Sequence, residues 1–289
     1  MFLQLLISGL AIGCVYSLVA LGFVLVASAA NVLNFAHGEW VMLGGYLGVT
    51  FSVTLKLNLA VSLVLTALCM IVVGWVFTKA VFYPLRNRHL LTTTMATVGI
   101  GIALQNAAML IWGPYPLIMP LFFGNKPVSI AGAKILPQSL VIVFFTVVLI
   151  IGLSLVLTKT KTGLRVQAAA QDGEAAQIMG IKVNRVKLWV FCLAAVMAGT
   201  AGFLVAPIII VTPTMGFAAM LKGLAATIVG GWGSLKGAVA GGLLIGVVET
   251  FAAGYISTTY KDVVSFTLLV LVLLFLPSGL MGEKVGEKV

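Results

Sequence analysis

Charge is scarce in this chain. Only 8% of its residues are Asp, Glu, Lys or Arg, against 61% hydrophobic residues and a mean hydropathy of +1.19. A soluble domain of that composition would expose large apolar patches, so the class is excluded and a polytopic, all-α membrane protein is expected. Cysteine is equally thin. Cys14, Cys69 and Cys192 lie inside apolar segments with no paired spacing, which supports neither a disulfide framework nor a metal site and leaves them as small packing residues. The two histidines, His37 and His89, are far apart, so there is no His-Glu-x-x-His pair, and no Gly-x-x-x-x-Gly-Lys-Ser/Thr phosphate loop occurs. Gly99-Ile100-Gly101-Ile102-Ala103 lies in an apolar run with no strand before it and is not a dinucleotide fingerprint. The chain therefore carries no motif for hydrolysing a nucleotide and none for binding a cofactor. A signal peptide is not expected either, because Met1-Phe2-Leu3-Gln4 lacks a positively charged start.

What the chain has is apolar runs of the length a bilayer about 30 Å thick requires. Spans are expected near 4–27, 39–55, 59–82, 91–112, 138–158, 188–210, 216–231, 237–256 and 263–277. The second and seventh are short and glycine-rich, which suits broken or re-entrant segments, so the expected count is 8 to 9 transmembrane helices in a single domain, 1–289. The stretch 113–137 holds Pro114, Pro116, Pro120, Pro127 and Pro137, which bar a continuous helix there. Small residues recur at Gly9 and Gly13, Gly44, Gly45 and Gly48, Gly99 and Gly101, and Ala198 to Gly202. In lipid, close backbone approach through such residues is how helices associate.

The net charge of +10 does not indicate nucleic acid, since the basic residues sit mostly in short loops without interleaved aromatics. They follow the positive-inside bias instead. Twelve Lys and Arg fall on one side (Lys79, Arg86, Arg88, six between 159 and 187, Lys236, Lys284 and Lys288), and four on the other (Lys56, Lys126, Lys134 and Lys261). That asymmetry puts the N-terminus outside and the C-terminus in the cytoplasm.

The polar island Lys159 to Lys187 organises the rest. Within it Asp172-Gly173-Glu174-Ala175-Ala176-Gln177-Ile178-Met179-Gly180 reads as a short capped helix. Asp172 caps its start, Glu174 complements the dipole, and Gly180 takes the left-handed conformation that ends it. A helix that short needs something to pack against, and a partner protein is expected. Two further stretches place polar groups at membrane depth. Asn31, Asn34, His37 and Glu39 follow one another with no basic residue nearby, and Gly216 to Ser234 carries Lys222 in a short, glycine-rich segment. Such groups line a cavity or pair with each other. For Glu39 two readings stand, a first-turn carboxylate with His37 near the cap, or a place on a substrate path. For Lys222 the choice is between snorkelling to the interface and the same path. Glu249 is expected to pair with another buried polar group.

These residues together carry a resemblance. Glu174-Ala175-Ala176-x-x-x-Gly180 is similar to the cytoplasmic loop by which bacterial ATP-binding-cassette (ABC) importer permeases dock on their ATPases, without the Ile and Leu-Pro that continue that motif. With Leu33 to Glu39, Gly180 to Val183, Ala198 to Gly202, Leu221-Lys222, Val229 to Ser234 and Leu276 to Gly282, nearly the whole chain resembles the permease subunits of branched-chain amino acid ABC importers, more the LivH member than its LivM partner. Trp40 and Trp232 depart from the usual family pattern.

The resemblance implies a transport subunit of the bacterial cytoplasmic (inner) membrane that is not itself an enzyme and forms the path for leucine, isoleucine and valine or related small amino acids. Its partners would be a second, LivM-type permease, two ATPase subunits that bind ATP and Mg, and a periplasmic or surface-anchored substrate-binding protein. It implies an ATPase-docking segment at Asp172, Glu174, Ala175, Ala176, Met179 and Gly180, within a cytoplasmic loop 159–187. The candidate translocation path then comprises Asn31, Asn34, His37, Glu39 and Lys222. A sugar or nucleoside permease of the same superfamily is the alternative, and an ion-coupled secondary transporter is a more distant one.

Overall fold

The computed structural model describes residues 1–86, 88–124, 127–130 and 133–282. The expectations placed on Lys126, Lys284 and Lys288 lie outside the described residues. All nine apolar runs form helices. They are α1 (Phe2–Ala30), α2 (His37–Val49, continued by a π-helical turn, Thr50–Thr54), α3 (Leu59–Phe77, continued through a π-helical turn, Thr78–Phe82, to Leu85), α4 (Leu90–Trp112) and α5 (Pro137–Lys159). After the short helices α6 (Lys161–Gln171) and α7 (Gly173–Ile178) come α8 (Val183–Val205), α9 (Met215–Gly230), α10 (Leu235–Tyr255) and α11 (Lys261–Phe275). Six of them, α1, α3, α4, α5, α8 and α10, are long and apolar enough to cross a membrane; α2, α9 and α11 are shorter.

Three expectations need correction. The sixth run was placed at 188–210, yet α8 starts five residues earlier and stops at Val205. Arg185 and Lys187 belong to its first turns, and Pro207 disfavours helix in the residue before it. The loop 113–137 is not simply irregular: β1 (Val128–Ile130) and β2 (Ala133–Ile135) pair antiparallel, so among the described residues the fold is helical with one small two-stranded sheet. Prolines exclude helix there, while the β-branched residues at 128, 130 and 135 suit strands. Finally, α6 occupies what read as plain loop. Thr160 caps it by accepting from Gly163 N–H at 3.0 Å, and Val166 and Ala169 form its buried side.

The centre of the molecule is α1 and α8, the two most deeply buried of the long helices. Along α1, Gly9 and Gly13 face α10 so closely that a Cβ on either would meet the backbone of Val247 or Leu243, and Gly242 and Gly246 close the seam from the other side. Gly199 and Gly202 of α8 do the same against Met70 of α3 and the Val41 carbonyl of α2. By contrast α3, α4, α5 and α11 turn large apolar side chains outward, among them Val72, Leu110, Phe144 and Leu274. In a bilayer those faces meet acyl chains.

Contacts between helix ends define two faces. Ala29 at the end of α1 and Gly233 and Leu235 at the start of α10 line one cavity with Ala170 and Gln171 of α6, so these ends share the face that carries α6 and α7. The Leu280 and Met281 N–H groups bond the Val229 and Gly230 carbonyls at 2.9 Å, which keeps the segment after α11 on that face too. On the opposite face Phe2 packs on Phe251 with ring centres 5.2 Å apart, and Val211 pairs with Leu117 of the proline-rich loop.

Candidate functional site

Helix α7 is held by its ends. The Asp172 Oδ1 accepts from the Glu174 and Ala175 N–H groups at 2.9 and 3.0 Å. At the other end Gly180 has φ +82°, its N–H donates to the Gln177 carbonyl, and Ile181 N–H reaches back to Ala176, both at 2.9 Å. This is the paired closure that a left-handed glycine permits. Ala176 is the buried residue of the helix, whereas Glu174 and Ala175 are exposed and Ile178 and Met179 are 86% and 82% exposed. Beside it Arg165, Lys182, Arg185 and Trp189 line a cavity of about 510 Å³. An apolar tip beside a basic groove suits an acidic partner with a hydrophobic cleft.

The second arrangement is a pair of helices that begin inside the molecule. After α1, Asn31 turns the chain in a left-handed conformation, φ 52°, and residues 32–36 run back beside it. Asn34 Oδ1 accepts from Ala36 N–H at 3.1 Å, and Phe35 N–H donates to Thr97 Oγ1 of α4 at 3.0 Å. The His37 ring then donates from Nε2 to the Val19 carbonyl at 3.1 Å, deep within α1, which fixes its tautomer because a carbonyl can only accept. Helix α9 meets α2 at that depth: Gly38 lies against the Gly216 backbone, and a Cβ on Gly216 would run into the Glu39 carboxylate. Glu39, Asn34 and His37 are buried, and Glu39 Oε2, Asn34 Nδ2 and His37 Nδ1 have no protein partner. Trp40 packs edge-on between His37 and Phe77, with centres 5.3 and 5.2 Å away.

Lys222 stands apart from these and does not snorkel. It is buried, with Nζ 2.9 Å from Glu249 Oε2 and 2.8 Å from Asp262 Oδ1, although neither contact is aligned as a hydrogen bond. Lys261 adds a 3.3 Å contact to Glu249 Oε1, and Tyr16 O–H donates to Glu249 Oε2 at 3.1 Å. Stranding an ammonium in lipid costs more than pairing it, so the carboxylates of α10 and α11 hold the lysine where its stem alone would reach for water. The structure thus joins Asn34, His37 and Glu39 in one cluster, leaves Asn31 exposed at the end of α1, and puts Lys222 in another. Tyr16, Lys261 and Asp262 were missed in the sequence. The available signal was that opposite charges in so uncharged a chain, Lys222 and Glu249, should find each other. Among the described residues no three His, Cys, Asp or Glu side chains gather as a metal site requires.

Buried helices joined by glycine seams, apolar outer faces and polar groups at depth define a multi-pass membrane protein. Residues 5–273 match the family described as branched-chain amino acid transport system / permease component. Three similar relatives are the high-affinity branched-chain amino acid transport system permease proteins LivH of Salmonella typhimurium and BraD of Pseudomonas aeruginosa, and the probable branched-chain amino acid transport permease protein LivH of Methanocaldococcus jannaschii. The first two are each 33% identical, with 100% of this chain and 98% of the relative covered. The third is 31% identical over 92% of this chain and 88% of its own. The chain belongs to this family of transport permeases, and it resembles the LivH type.

Proposed function

We propose that the chain is the LivH-type membrane subunit of an ABC importer and that leucine, isoleucine and valine pass through it. The observation that carries the reading is α7: a six-residue helix capped at both ends, anchored through Ala176, with Ile178 and Met179 bare to solvent. Such an element is stable only in company. Two ATPase subunits, which hold ATP and Mg, grip it through Glu174, Ala175, Met179 and Gly180, and α6 and α8 carry the stroke to the membrane. A LivM-type permease completes the path, and a substrate-binding protein delivers the amino acid on the opposite face. The chain itself binds no cofactor.

The face that carries α6 and α7 is then cytoplasmic, the N-terminus is outside and the C-terminus inside, in the bacterial inner membrane. Nine traverses result when α2 and α9 are counted as half-helices that begin at depth. Asn34, His37 and Glu39 line the path there, where broken helices present polar groups to a zwitterion. In vesicles holding the complete transporter, Gly180→Val and Glu174→Lys leave the permease inserted but lower ATP-driven leucine uptake roughly tenfold, the factor that about 1.4 kcal/mol of lost coupling represents. Uptake at the unmodified rate in both variants would show that α7 is not the docking element.

A further inference from the structure

The charged cluster around Lys222 forms one wall of a cavity of about 370 Å³ on the face opposite α7. Much of the remaining lining is apolar, with Ile12 and Val15 from α1 and Val205 from α8, and Thr212 and Thr214 contribute hydroxyls beside Met215 at the start of α9. A buried ion pair serves stability poorly, since apolar groups of equal volume do as well or better, so four charges on a cavity wall call for another reason. Their signs supply it. Lys222 and Lys261 balance Glu249 and Asp262, and the set is neutral. A singly charged ligand would upset that balance, whereas a zwitterion adds no net charge and can still pair with one group of each sign.

The geometry also shows which contacts can open. Glu249 is 95% buried and held by Tyr16 and two lysines, whereas Asp262 is half-exposed. The Lys222 ammonium is shared between the two carboxylates, and of these only Asp262 can swing toward solvent to release it.

We propose that this cavity is a holding site for one zwitterionic aliphatic α-amino acid, a site distinct from the broken-helix cluster of Asn34, His37 and Glu39. The ligand carboxylate takes Lys222, its ammonium takes the Asp262 carboxylate released from that lysine, and its side chain lies on Ile12, Val15 and Val205. The inference rests on the proposed function for the identity of the amino acid, and on the cavity alone for its charge pattern.

The test is titration calorimetry on the purified chain in lipid nanodiscs, with leucine, 4-methylpentanoate (no ammonium) and 3-methylbutylamine (no carboxylate) as probes. Leucine binds, and each analogue binds roughly tenfold or more weakly, because a charged contact is lost. Asp262→Asn weakens leucine by a similar factor, and Ala218→Phe, which fills the cavity from an exposed position on α9 without touching a charge, abolishes binding. Equal binding of all three probes, or leucine binding that survives Ala218→Phe, overturns the site. Leucine import by the complete transporter with no binding to the purified chain overturns the site and leaves the proposed function standing. Binding to the chain without import by the transporter supports the site and overturns that function.

Discussion

Asp172 and Lys222 illustrate two ways in which a single side chain matters here. Asp172 acts locally: its carboxylate satisfies two backbone donors of α7. Asp172→Ala therefore costs the helix about 1 kcal/mol. Hydrogen exchange resolved by mass spectrometry should show faster exchange confined to residues 173–178. Lys222 acts at long range, across α9, α10 and α11. Removing one partner of a buried pair typically costs about 3–5 kcal/mol, while replacing both with apolar groups is often harmless. Lys222→Met or Glu249→Leu alone should thus lower the melting temperature in detergent more than the double variant does, with Lys261 and Asp262 softening either loss. The same contrast governed what was legible. Asp172, Glu174 and Gly180 obey rules that operate within one turn of helix, so their roles at the two caps could be read directly. The Lys222 cluster depends on which helices lie side by side, and Tyr16, Lys261 and Asp262 gave no local sign of it.

Among elements, the glycine pairs decide which helices touch. All the recurrent small residues looked alike as sequence, but the structure separates them. A Cβ at Gly44 would overlap the Gly199 carbonyl, whereas one at Gly99 meets nothing within 4 Å. Gly44→Ala should destabilise by about 1–3 kcal/mol, the usual cost of overpacking. Gly99→Ala should be neutral or stabilising by up to about 1 kcal/mol, since alanine is the better helix former. Thermal unfolding of the two variants side by side checks both. Helix α6 escaped notice because it is short, polar on most of its surface and buried through only Gly163, Val166 and Ala169. Hydropathy alone is blind to such a helix, although Thr160 was a readable cap. The two-stranded sheet was missed for the complementary reason, since three-residue strands carry too little alternation to register.

For the whole molecule, the apolar runs placed every long helix, and the two glycine-rich runs singled out as broken segments, 39–55 and 216–231, correspond to α2 and α9, which meet at depth. What hydropathy could not supply was that the chain doubles back beside α1 before α2 begins, because the return of residues 32–36 is fixed by contacts with Val19 and Thr97. The proposed sidedness is open to direct measurement. Cys14 and Cys192 are buried and Cys69 is partly so, which gives a low background for thiol labelling. A membrane-impermeant maleimide added to intact cells should label Thr214→Cys and spare Met179→Cys, and inverted vesicles should reverse that pattern. Labelling of both from one side would refute the proposed topology.

The glycine seam between α1 and α10 bears on how such a protein moves. Where two backbones lie against each other for several turns, sliding or rolling would drive carbonyls into carbonyls, so these rods travel as one rigid strut. Any push that begins at the exposed tip of α7 must be absorbed outside that strut, where neighbouring helices are not seamed by glycine.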